Sequence, residues 1–137
     1  MKLSRLKNVP CIVWCLALHA CVALGWYATR PTLFTIDNSP HYVYRLEIYD
    51  ASPWQRIVHY DQKDPAIVRL YRVEPRELLG ESEVVDLWSG GATAWYLDPP
   101  VDTGRVRVGR DAVFENIPPE CTEAARIPSC PRTQPAE

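Results

Sequence analysis

A small all-β domain behind a single membrane-spanning helix is the fold class this sequence predicts, and three observations predict it. Residues 9–28 form an apolar run free of Asp, Glu, Lys and Arg, preceded by Lys2, Arg5 and Lys7. From Thr32 the hydrophobic pattern changes to period two. Clusters of Pro, Gly, Asp and Ser then recur about every ten to twelve residues, the spacing of short antiparallel strands in a meander or sandwich.

The apolar run is long enough to cross a bilayer. At about 1.5 Å per residue it spans roughly 30 Å, the thickness of the hydrocarbon core. The basic flank favours the cytosolic side, which places everything after Arg30 beyond the membrane. Trp26 and Tyr27 stand at the exit end, where amphipathic rings prefer the water boundary. Two other readings compete with a retained anchor. A cleaved secretory signal could end after Ala23, with Cys21 and Ala23 in the small positions. A lipoprotein signal is the other, since Leu18, Ala20 and Cys21 resemble a lipobox and make Cys21 a candidate for lipidation. His19 fits that motif badly, and the apolar run continues through Trp26. The retained single-pass anchor is therefore preferred, and all three readings deliver the domain outside the cytosol. His19 itself reads as a neutral helix residue, and Cys11 and Cys15 as small apolar ones.

The chain divides at two points: residues 1–30 as cytosolic flank and anchor, residues 31–117 as an exported β domain, and residues 118–137 as a Pro- and Cys-containing tail. Charge follows this division. Beyond residue 30 there are 11 basic groups against 17 acidic ones, a net of −6 hidden in the whole-chain value of −2. A negative domain is a poor ligand for nucleic acid or anionic headgroups, both of which need a positive field.

Within the domain, residues 41–50 alternate Tyr42, Tyr44, Leu46 and Ile48 against Val43, Arg45, Glu47 and Tyr49, a half-buried strand. After a turn at 50–53, a second run covers 54–60. Another turn at 61–65 precedes a strand over 66–73. Residues 74–77 break the pattern, and 83–88 form the next strand. Gly90 and Gly91 mark a loop, because glycine relaxes the usual φ limits. Short strands follow at 94–97, 104–109 and 111–117. Helical periodicity after Arg30 is confined to brief turns at 75–79 and 122–125.

Cys121 and Cys130 bracket an eight-residue interval in the tail. In an oxidising compartment the preferred reading is a structural disulfide between them, with free or mixed-disulfide thiols as the alternative. A metal centre would need further His or Cys ligands, and a redox enzyme a Cys-x-x-Cys pair.

Catalytic signals are sparse. The sequence contains no nucleophile elbow, phosphate-binding glycine loop or His-x-x-x-His pair. His59 with Asp61 or Asp64 is the one combination a hydrolase could use, and Ser89 reads as a loop residue. Aromatics are the richer supply. Trp88, Trp95 and Tyr96 flank the glycine loop and are the candidate partner-binding residues, since such rings dominate recognition surfaces when exposed.

Residues 38–40, 44–49, 68–71 and 79–88 resemble a group of small bacterial envelope-anchored β-domain proteins of unknown function. Some members of that group occur near secreted antibacterial effectors. The resemblance covers residues 37–110 and carries no catalytic residues. It implies an inner-membrane, single-pass protein with its C-terminal domain in the periplasm. The expected function is protein binding without catalysis or cofactor, as in an immunity protein that neutralises a toxin. The alternatives are an accessory subunit of an envelope complex and, third, an envelope hydrolase. Expected partners are the membrane, through residues 9–28, and another protein, with no nucleic acid and no small-molecule substrate.

Overall fold

The computed structural model describes residues 10–88, 90–98 and 103–121. Its first element is α1 (Cys11–Thr29), none of whose 19 residues is buried. This helix is long and apolar enough to cross a membrane, the test a signal sequence also passes. His19 Nδ1 lies 2.7 Å from the Cys15 carbonyl one turn back. A carbonyl only accepts, so Nδ1 carries the proton and is satisfied within its own helix. At the exit end the Arg30 guanidinium lies 3.6 Å from the Trp26 ring centroid, and Tyr27 is exposed beside it. The basic flank of residues 1–9 lies outside the described residues.

Two antiparallel sheets follow. The first runs in the order β1 (Thr32–Asn38), β2 (Tyr44–Asp50), β3 (Pro65–Arg72) and β4 (Glu77–Glu81), and β5 (Val85–Asp86) also pairs with β3. The second is the meander β6 (Thr93–Tyr96), β7 (Arg105–Val108) and β8 (Ala112–Phe114). One core joins them. Tyr44, Leu46, Ile48, Val68 and Leu70 of the first sheet cluster with Val106, Val108 and Ala112 of the second.

On the core face Leu46 stands opposite Leu70 and Ile48 opposite Val68, as the period-two pattern expects, while Glu47 and Ile67 of the other face are buried as well. Tyr42 departs from it. The strand begins at Tyr44, while Tyr42 sits in the β1–β2 turn at φ 62° with its side chain exposed. Ser39 closes that turn, its Oγ accepting from Tyr44 N at 2.9 Å. The outward face of the sheet is held by charge. Buried Glu47 accepts from Tyr49 Oη at 2.7 Å and from Arg76 Nη2 at 3.2 Å. The Glu47 hydrogen bond is the main reason the Tyr49 phenol titrates above its ordinary value.

Three expectations change. Residues 54–60 do not form a strand; they supply the short helix α2 (Pro53–Val58). Its start is specified locally: Ser52 Oγ accepts from Gln55 N, Gln55 Oε1 accepts from Ser52 N, and Pro53 occupies the first turn. Residues 83–88 give only the two-residue β5, because the chain pairs earlier, in β4. A strand missing from the expectation, β1, forms the edge of the first sheet, with a register shift between Leu33 and Thr35 that leaves Phe34 unpaired as a bulge.

Candidate functional site

The two sheets meet along their edges. β4 and β5 end the first sheet on one side and β8 ends the second, and among the described residues neither edge has a further strand partner. Between them lies a groove of about 560 Å³. Glycine sets its depth. A Cβ on Gly80 would lie 3.0 Å from Phe114 Cδ1, so the Phe114 ring rests directly on the β4 backbone. A side chain at position 80 would require the Phe114 ring to give by a few tenths of an ångström.

The groove is acidic. Glu81, Glu83, Asp86 and Asp111 line it, alongside Gln62 and Ser82. Two of these carboxylates are already engaged. Glu81 accepts from Arg69 Nε at 2.6 Å. Asp86 Oδ1 accepts from Trp88 N and Asp64 N, both at 3.0 Å, and Oδ2 accepts from Lys63 N at 3.2 Å. Glu83 and Asp111 are exposed and set the field of the open face. On the wall, Gln62 Nε2 donates to the Val84 carbonyl at 3.5 Å, and its Oε1 has no hydrogen-bond partner among the described residues.

Asp86 therefore organises one end of the groove. Three backbone N–H donors, Trp88's first, hold its carboxyl below the ordinary carboxylate range. A depressed folded value contributes stability that is present above the unfolded value and is lost as pH falls through the folded one. The Lys63, Asp64 and Trp88 amide signals should thus shift together in an acid NMR titration, with a midpoint below the ordinary Asp value. In Asp86→Asn that shared step should vanish. Titration of these amides at or above the ordinary Asp value would contradict the arrangement.

The aromatic residues divide. Trp88 is exposed two residues past Asp86, with the Lys63 ammonium 5.2 Å from its ring centroid. Trp95 instead packs against the core, and its Nε1 donates to Asp37 Oδ2 at 3.3 Å, tying β6 to the first sheet. Tyr96 is part-exposed on the same strand. The glycine loop thus presents Trp88 outward while Trp95 serves packing. Ser89 lies outside the described residues, and His59, Asp61 and Asp64 do not line the groove.

A second cluster pins the start of the tail. Tyr44 Oη donates to the Pro118 carbonyl at 2.8 Å, and burial is the main cause of its raised phenol pKa. Glu120 is buried and accepts from His41 N at 3.2 Å through Oε2. Cys121 N donates to Asp98 Oδ1 at 3.3 Å, and His41 Nε2 stands 3.6 Å from Asp98 Oδ2. His41, Asp98 and Cys121 bring their ligating atoms within 4.8 Å of one another, a spacing that would suit a metal ion. Cys121 is disulfide-bonded, however, and its sulfur offers no thiolate. The cluster accordingly reads as a latch holding residues 118–121 on the domain. Cys130 lies outside the described residues. Cys21 is free within α1.

No family model, curated protein or solved structure matches this chain.

Proposed function

We propose that the chain is a membrane-tethered protein-binding domain facing the periplasm, and that its groove takes an extended basic segment of a partner protein without catalysis. The single observation that carries this reading is the acidic groove between two sheet edges that have no further strand partner among the described residues. An edge strand offers a row of N–H and C=O groups that a partner's extended backbone can continue, which supplies affinity. Glu83 and Asp111 then select for positive charge along that segment. Trp88, exposed near one end, provides an aromatic contact of the kind that anchors interfaces. The resemblance to envelope proteins near secreted effectors makes neutralisation of a toxin the particular role we favour.

The full-length chain, solubilised in mild detergent and used as bait at physiological salt, should retain a specific protein from bacterial membranes. Reversing both open charges, Glu83→Lys with Asp111→Lys, should reduce that capture by about tenfold or more. Capture of no specific partner, or capture indifferent to the reversal, would overturn the reading.

A further inference from the structure

Helix α2 presents its apolar side away from the core. Trp54, Ile57 and Val58 fall at the i, i+3 and i+4 positions of one helical face, and they are 59, 66 and 54% exposed. Tyr60, just beyond the helix, is 87% exposed. No residue of α2 is buried, so the helix contributes nothing to the core between the sheets. A small domain would ordinarily turn such a face inward.

Its position explains the exception. α1 ends at Thr29, and β1 begins only three positions later at Thr32. Thr32 pairs with Asp50, and α2 starts three residues after Asp50. The register therefore carries α2 back to the end of α1, and the two helices are in contact. Leu33 and the bulged Phe34 are exposed on the strand between them. Trp26 and Tyr27 on the last turns of α1 are exposed as well. Residues 53–60 also carry Arg56 and His59 and no carboxylate, unlike the acidic domain around them.

We propose that α2 lies in the headgroup–acyl boundary of the leaflet that α1 leaves, as a second, in-plane contact with phospholipid. This inference rests on the membrane tether of the proposed function. An amphipathic segment with Trp and Tyr at its rim is suited to that depth, where the rings sit in hydrocarbon and their polar edges reach water. With α1 crossing the bilayer and α2 lying on it, the β domain is held at a set orientation instead of swinging on one linker.

The test uses the unmodified full chain in vesicles of phosphatidylethanolamine and phosphatidylcholine, the latter bearing a photoactivatable group near the glycerol end of its acyl chain. After illumination, adducts are mapped by mass spectrometry. Adducts on residues 53–60, in yield comparable with those on the last turns of α1, are expected. Ile57→Glu with Val58→Glu should abolish most α2 adducts and leave those on α1 unchanged, and the fold should survive because neither residue is buried. Adducts confined to α1 would overturn the proposal while sparing the tether. In a parallel sample carrying a photoactivatable phenylalanine analogue in place of Tyr60, chain-to-chain crosslinks together with no lipid adducts at 53–60 would overturn it in favour of a second copy as the occupant. Absence of adducts on α1 as well, with the protein released by an alkaline wash, would remove both the tether and this proposal.

Discussion

Leu46→Ala is expected to destabilise the β domain by about 2–5 kcal/mol, the range for emptying a fully buried aliphatic site. Leu46 is 0% exposed, stands opposite Leu70 at the centre of the first sheet, and belongs to the cluster that also contains Val106 and Val108. Three side-chain carbons, Cγ and its two methyl groups, leave a site lined from both sheets, and neither sheet can collapse into the space without losing its own register. Domains of this size have only about 5–15 kcal/mol in total, and each kcal/mol moves the melting midpoint by about 4–8 °C. Denaturant unfolding followed by tryptophan emission would measure the loss, since Trp95 packs against this core. Leu78→Ala is the companion variant. Leu78 is 49% exposed on β4, so its truncation should change stability little. Equal losses at the two positions would mean that the core does not lie between the sheets.

Gly109→Ala is expected to cost at least about 1–3 kcal/mol from backbone conformation alone. Gly109 occupies the β7–β8 turn at φ +62°, a left-handed conformation that a Cβ disfavours. A steric term adds to it. The new Cβ would lie 2.9 Å from the Gly90 carbonyl oxygen and 3.2 Å from Leu87 Cδ2. The turn has little room to retreat, because Gly109 N donates to the Ala92 carbonyl at 3.1 Å. The substitution should therefore displace the loop that carries Trp88 and loosen one end of the groove, lowering partner capture together with stability. Gly91→Ala in the same loop meets only Leu87, at 3.8 Å for the nearest atom, and should be close to neutral. If both variants behave alike in thermal unfolding, the tight packing of the turn against the loop is wrong.

Much of the fold was legible because its signals are local. In β2 and β3, neighbours two apart share a face, so Tyr44, Leu46, Ile48, Val68 and Leu70 announce a buried side without reference to anything distant. Residues 54–60 show where this logic fails. Trp54, Val58 and Tyr60 fit a period of two, whereas Trp54, Ile57 and Val58 fit a period of 3.6. The deciding signal was also in the chain: Ser52, Pro53 and Gln55 form a helix start with a reciprocal cap. Tyr42 failed for a different reason. Its alternation is correct, but the β1–β2 turn takes it into a left-handed conformation before the strand begins.

The candidate site was less legible. Trp88 and Trp95 look equivalent beside Gly90 and Gly91, yet Trp95 reaches Asp37, 58 residues earlier, and becomes part of the packing. The groove had no local signature, since its walls come from residues 80–86 and 111–114, adjacent only because the sheets share a core.

Sequence alone determined that a long apolar helix precedes the domain, that the domain is acidic, and that its strands alternate. Each of these depends on composition or on neighbours a few residues apart. Tertiary structure alone decided which strands became edges, which tryptophan remained exposed, and that α2 turns its apolar face outward beside the end of α1. Those outcomes depend on pairings such as Thr32 with Asp50 and on the contact of Gly80 with Phe114. Such contacts exist only after distant segments have met, so no local period can encode them.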